Sequence, residues 1–322
     1  MKPIRMLLLS VLGLALAPIE AKAQSWPTKT LRAVVPYGAG STTDIIPRVV
    51  FEQLSPQLGQ PIVVENRAGA GGTIGAASVA KAEPDGYTFL VNSSAHTISP
   101  ALYSNLGYDP GRDFAAVVPL GISANVLVVS PEKGFKTVGD LIAAAKAKPG
   151  ALNSSSVGVG TATHLSAERF RLSAGVEAVH IPFKGGAEAM LEALAGRVDF
   201  FFGPVGLVLP NIREGKLVAL VVNGPKRAVA LPDVPTTSEA GLVDAEYPIW
   251  FGLFAPSKTP RDIVDKLHRE TVTSLQAPRT LGKLSALGVD PIVMTPKEFD
   301  AHVQREIAVN AKLVKAIGIK AN

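Results

Sequence analysis

Seven small or oxygen-bearing residues, Gly38-Ala39-Gly40-Ser41-Thr42-Thr43-Asp44, follow the largely apolar run Leu31 to Val35 and the pair Pro36-Tyr37. Apolar periodicity resumes after Asp44, so the pattern reads strand, loop, helix, with the helix over 43–58. A loop at the carboxyl end of a strand leaves backbone N–H groups pointing outward, backed by the positive end of the helix dipole. Around Gly40, Ser41, Thr42 and Thr43 those groups suit an anion, and the hydroxyls add donors without a buried charge. A carboxylate is the expected occupant. Asp44 is read as the helix N-cap; beside a carboxylate it is repulsive, so its alternative role is to meet the ammonium group of an amino acid.

Two further loops have the same character. The strand 87–91, opened by the Pro84-Asp85-Gly86 turn, leads into Asn92-Ser93-Ser94-Ala95-His96, and a Ser/Gly-rich stretch from Ser154 to Thr163 precedes a helix over 164–173. His96 and His164 have two readings, as pH-sensitive ligand contacts or as structural histidines. Arg67, after a strand over 62–65, is read as a brace for the loops. Enzyme fingerprints are missing: there is no G-x-S-x-G elbow, no G-x-x-x-x-G-K-[ST] loop and no H-E-x-x-H helix. The best dinucleotide candidate, Gly69-x-Gly71, meets Ile74 where a third glycine is required. No cofactor is implied, and five histidines scattered singly imply no metal site.

The elements that must position these loops are short β-type runs alternating with helical ones, the signature of α/β units around a mostly parallel sheet. One series runs to about residue 123; a second begins with a helix over 137–148 and includes strands over 178–181, 198–202 and 217–222. A strand at 249–255, a helix at 261–276, a strand near 291–294 and a closing helix at 297–317 follow. This terminal piece is too small for its own core, so it is expected to dock on the first series. That gives a discontinuous first lobe (24–123 with 243–322), an inserted second lobe (124–242) and a ligand cleft between them. Ahead of all this, Lys2 and Arg5, the apolar stretch Met6 to Ala17 and Ala21-Lys22-Ala23 have the form of a secretory signal peptide cleaved after Ala23. With no cysteine, the chain has neither disulfides nor a lipid-bearing thiol. A formal net charge of +5 is no nucleic-acid footprint.

Seven blocks, PYGAGSTTD (36–44), VENRAGAGGTIG (64–75), AEPDGYTF (82–89), THLSAERF (163–170), HIPFKGG (180–186), PDVPTTSEAG (232–241) and WFGLFAPSKTP (250–260), resemble in order and spacing the Bug family, the extracytoplasmic receptors of tripartite tricarboxylate transporters. The resemblance implies a two-lobed α/β periplasmic binding protein of the Venus-flytrap, type II-like kind. Such a receptor is monomeric and non-catalytic, and it hands a small mono- or dicarboxylate to membrane transporter subunits, or alternatively to the periplasmic domain of a sensor kinase. The implied ligand-binding residues are Tyr37, Gly40, Ser41, Thr42, Thr43, Asp44, Ser93, Ser94 and His96 in the first lobe. In the second they are Ser156, Thr161, Thr163, His164, Phe183 and Lys184. The family usually has glycine where this chain has Ser41 and alanine where it has Pro47, which implies an altered loop backbone and a helix start moved toward Asp44.

Overall fold

A computed structural model describes residues 26–319, so the signal segment expected over 1–23 lies outside the described residues. The first series comprises β1 (Leu31–Val35), α1 (Thr42–Leu58), β2 (Ile62–Asn66), α2 (Thr73–Ala80), β3 (Thr88–Ser93), α3 (Ala95–Leu102) and β4 (Phe114–Ser123). The second comprises β5 (Asn125–Val129), α4 (Val138–Ala147), β6 (Asn153–Ser156), α5 (Ala162–Ala174), β7 (Val179–Pro182), α6 (Gly186–Leu194), β8 (Phe200–Pro204), α7 (Val205–Arg213) and β9 (Val218–Asn223). The chain closes with β10 (Ile249–Pro256), α8 (Arg261–Gln276), α9 (Pro278–Ala286), β11 (Val289–Asp290) and α10 (Pro296–Ile317). Among the described residues no helix is long and apolar enough to cross a membrane.

Two sheets result, ordered β11-β4-β10-β3-β1-β2 and β7-β6-β8-β5-β9. The first thus recruits two strands from the end of the chain. Both sheets are mixed rather than mostly parallel: β1 pairs in parallel with β2 and β3, but β10 is antiparallel to β3 and β4. Connectivity explains this. Strands β3 and β4 end at the junction with the second sheet, whereas β10 starts there and runs away, with Ile249 opposite Ser123 and Phe251 opposite Ser93. In the second sheet β5 starts at the same junction, antiparallel to β8 and β9, while β6 runs parallel to β8. The carboxyl ends of β1, β2, β3, β6 and β8 therefore all point at one junction, where polar loops from both sheets can converge.

Each sheet is covered on both faces, as strands with near-continuous apolar runs require. Alternation in β1 sends Leu31, Ala33 and Val35 into a cluster with Ile46, Val50 and Leu54 of α1, and sends Val34 to the other face with Val79, Leu90, Phe254 and Phe299. Leu127 and Val129 of β5 meet Leu141 and Phe170, and Val126 and Val128 meet Ala189 and Val208. Side chains hold the two crossings in register: Asn125 Nδ2 donates to Ser166 Oγ (2.9 Å), Asn223 Nδ2 to the Ala245 carbonyl (2.9 Å) and Ser123 Oγ to the Gly288 carbonyl (3.0 Å). Ala245 belongs to the buried cluster of the second sheet and Tyr247 to that of the first.

Four local expectations are corrected. Asn92 and Ser93 belong to strand β3 rather than to a loop, and a helix, α3, follows them directly. Ser154 to Ser156 form the buried strand β6, paired on both sides by β7 and β8. The late short strand is Val289–Asp290, not 291–294. Helices α7 and α9 were not anticipated.

Candidate functional site

Pro36 ends β1, and the chain turns through Gly40, whose φ of +80° only glycine adopts without strain. Ser41, at φ −69° and ψ 157°, is ordinary extended backbone and is the N-cap of α1, so a serine here distorts nothing. Asp44 lies at the third helical position, not at the cap, and Pro47 sits within the helix rather than in its first turn. The Asp44 carboxylate is 3% exposed and fully engaged. Oδ2 accepts from the Gly40 amide (2.8 Å), and Oδ1 accepts from Arg48 Nε (2.9 Å) and Asn66 Nδ2 (2.9 Å). Asn66 Nδ2 also donates to the Tyr37 carbonyl (3.0 Å). Burial raises the pKa of Asp44, but the bonds from Arg48, Gly40 and Asn66 together outweigh it and hold the group below the usual carboxylate range. Asp44 thus braces the loop, with both oxygens already accepting from the protein. Arg67 is also a brace, with its Nε on Glu65.

The donors that remain are those a carboxylate needs. First-turn amides such as those of Thr42 and Thr43 have no intrahelical acceptor. Ser41 Oγ and Ser94 Oγ are both buried with no hydrogen-bond partner among the described residues. They are the N-caps of α1 and α3, which follow the neighbouring parallel strands β1 and β3. Tyr37 is half-buried, its hydroxyl 3.5 Å from the Gly71 carbonyl; burial pushes the hydroxyl up to about 12, with Ser93 opposing the shift, so it stays neutral. His96 is placed differently from the sequence-based expectation. It is fully buried against Phe114 and Phe254, with Nε2 3.3 Å from the Pro110 carbonyl and Nδ1 3.4 Å from Asn92 Nδ2. Both ring nitrogens are engaged in the interior, so His96 is structural.

Across the junction, the loop 157–161 leads from β6 into α5, whose N-cap Thr161 leaves the first-turn amides without a side-chain cap. The loop is held by side chains: the Val157 amide donates to Thr163 Oγ1 (3.0 Å), Thr161 Oγ1 to the Gly158 carbonyl (2.7 Å) and the Gly160 amide to His164 Nδ1 (3.1 Å). Gly160, at φ +76°, reaches the other lobe: a Cβ there would stand 2.0 Å from Leu102 Cδ1 of α3. The loop before α5 is thereby set against Leu102, the last residue of α3, so that segments of both lobes meet at this junction. Ser156 Oγ lies 2.6 Å from His180 Nε2, the contact of a nucleophile with a base. It is fully buried, however, and bonded to both the amide (3.1 Å) and the carbonyl (3.2 Å) of Gly158, so it is a fastener. His180 was not foreseen: its ring stacks on His164 with centroids 3.8 Å apart. Phe183 is half-buried among the α6 and α7 side chains, and Lys184 is exposed, its amide donating to Glu188 (3.2 Å).

A cavity of about 560 Å³ lined by Ile122, Ala124, Val205, Lys226 and Gly288 is on the other side of the crossings. Strands β4 and β10 separate its β11 edge from β3 and β1. It has none of the free amides or capping hydroxyls described above, so the loops, not this cavity, define the site. No group of His, Asp or Glu side chains suited to a metal occurs among the described residues.

Two lobes of mixed α/β sheet joined at two crossings, with donor loops on both sides, are an arrangement suited to holding a small solute. Comparison makes the class specific. The family model for the tripartite tricarboxylate transporter family receptor matches residues 46–319, and the chain belongs to that family, as its sequence blocks implied. BugT of Bordetella pertussis is 34% identical over 319 residues, covering 97% of this chain and 98% of that protein. An R. palustris protein solved with adipate superposes with a TM-score of 0.84 at 34% identity, over 92% of this chain and 99% of that one. MatC of Rhodopseudomonas palustris, solved with bound malate, gives 0.80 at 32% identity, over 90% and 100%.

Proposed function

We propose that this chain is a periplasmic receptor that captures a small organic anion, a mono- or dicarboxylate, between its lobes and delivers it to the membrane subunits of a tripartite transporter. The observation that carries the reading is the pair of buried, unpartnered hydroxyls, Ser41 and Ser94, at adjacent helix N-termini. Unsatisfied buried polar groups are costly, and a carboxylate accepting from both would relieve them. The adipate and malate found in two relatives are of the same chemical class. In this reading the first lobe gathers residues 24–123 with the end of the chain, the return crossing lies at Glu246 to Pro248, and closure over the ligand is a hinge motion about the two crossings.

The test is a thermal-unfolding screen of residues 24–322 against mono-, di- and tricarboxylates, aromatic acids and amino acids, run beside Thr42→Glu. A ligand at 100 times its Kd adds about 2.7 kcal/mol, a rise of several degrees for a chain of this size. Glutamate at the first helical position suits the helix dipole, so the variant keeps its own midpoint while its charge repels the anion. A variant stabilised by the same carboxylate as the parent would sink the site assignment.

A further inference from the structure

We infer that His164 and His180 form a positioning pair, whose neutral, stacked rings clamp the loop 157–161 in the shape that presents the α5 amides to a ligand, and that protonation of His164 releases the clamp. The inference rests on the carboxylate reading of the junction and adds to it the element that makes the second lobe's half of the site.

The geometry settles which nitrogen carries the proton. A backbone amide can only donate, so the 3.1 Å contact from the Gly160 amide requires a bare Nδ1 on His164 and places its hydrogen on Nε2. Nε2 lies 3.8 Å from Glu168 Oε1, one helical turn on. Glu168 is also held by Arg171, whose NH2 is 2.9 Å away, so the charges around the pair are one carboxylate shared with one guanidinium. His180 closes the other end of the loop: Nε2 meets Ser156 Oγ, which in turn bonds both backbone groups of Gly158. Each imidazole therefore fixes one glycine, at position 158 or 160, and both glycines hold positive φ (+124° and +76°). Stacking at 3.8 Å with an interplanar angle of 15° couples the two anchors, and the neutral state is favoured because burial lowers both histidines to about 4.

With a proton on Nδ1, two donors would face each other, the Gly160 amide would lose its acceptor, and a cation would sit over His180 at the positive end of α5. The loop would then let go of its shape. The opposite expectation, that an imidazolium attracts the anion, predicts tighter binding in acid; because the ligand's own carboxyls also titrate at about 4, the pH dependence of the parent is compared with that of His164→Asn to decide between them.

The experiment has a ligand-free arm and a binding arm. In the first, ¹⁵N-detected titration of the imidazoles between pH 7 and 4 is followed together with the Gly160 amide. The expected result is a bare Nδ1 on His164 at pH 7 and a Gly160 amide that shifts with the His164 midpoint. A protonated Nδ1 at pH 7, or a Gly160 amide blind to the titration, overturns the clamp. In the second arm, adipate and malate are titrated calorimetrically. His164→Leu removes the acceptor and is expected to bind roughly tenfold more weakly, the size of one unmade buried hydrogen bond. His164→Asn sets an oxygen at the same number of bonds from Cα as Nδ1, and is expected to recover most of that loss and to flatten the pH dependence. Parent affinity that rises on acidification relative to that of His164→Asn, or equal affinities for the Leu and Asn variants, refutes the inference. If neither anion binds even the parent, the ligand class has failed, and the ligand-free arm still decides the clamp.

Discussion

Asp44→Asn separates a brace from a ligand contact. The carboxylate accepts from the Gly40 amide, Arg48 and Asn66. Asparagine keeps one acceptor oxygen and turns the other position into a donor, which then faces a donor. Leaving one buried donor unmade costs about 1–3 kcal/mol. The lost charge on the Arg48 bond adds little, because the Arg48 side chain is 47% exposed and screened. A total of about 2 kcal/mol lowers the melting midpoint by about 3 °C for a chain of this size, at about 2.1 cal/mol/K of unfolding entropy per residue. The carboxyl is held below its ordinary pKa, so its stabilisation is present above about pH 4 and is lost as pH falls through the lowered value. The difference between parent and variant should accordingly be full at pH 7 and shrink below pH 4. Calorimetric melts at pH 7, 5 and 3 measure it, and adipate titration at pH 7 follows the loop. Weaker binding with an unchanged midpoint would make Asp44 a direct ligand contact and refute the bracing argument.

Gly160→Ala combines a positive φ with a Cβ 2.0 Å from Leu102 Cδ1, so Leu102 must move for the lobes to meet there; adipate affinity should fall about tenfold, and adding Leu102→Ala should recover part of it while leaving the φ strain. Fluorescence melts between pH 7 and 4 should show stability draining through that window: the buried His96 and His164 are lowered from 6.5 to about 4, so the fold keeps them neutral while the unfolded chain takes up protons below pH 6.5, and each loses up to about 3 kcal/mol as pH falls toward 4, with the more open His180 adding less. A midpoint that stays flat over that range would contradict the burial of these rings.

The first-lobe loop was legible because its signals are local. An apolar run, a proline, glycines and hydroxylated residues before renewed periodicity can only be a strand, a loop and a helix in that order, and β1 and α1 fall within a residue of expectation. The cap was misjudged by three residues because Ser41 and Asp44 both cap well; what decides is the extended backbone of Ser41, together with a bond from Asp44 back to Gly40 that no propensity encodes. Strand β6 was illegible for a different reason. Asn-Ser-Ser-Ser has the composition of a turn, and it becomes a strand only because β7 and β8 supply ladders on both sides and the Ala189 carbonyl takes the Ser155 hydroxyl. The same sideways dependence hid His180. Its neighbours in sequence read simply as a strand over 178–181, and its meaning comes from β7 lying next to β6 so that its ring meets a helix that begins eighteen residues earlier.

That division has a physical origin. Loops that end on a helix N-terminus carry their chemistry in their own backbone, so residue types suffice to find them. Side chains that shape such loops act across the sheet, so strand order must be known first. Second-lobe residues such as Thr161, Thr163 and His164 were therefore found by resemblance, but their work was not. Thr163 Oγ1 accepts from Val157 and His164 Nδ1 from Gly160, so both imidazole and hydroxyl face the loop's own amides. The groups left over at this junction are first-turn amides and the capping hydroxyls of Ser41 and Ser94, which recognise a carboxylate in general. On the proposed carboxylate reading, discrimination among ligands would come from the spacing of the donor loops of the two lobes more than from any single side chain.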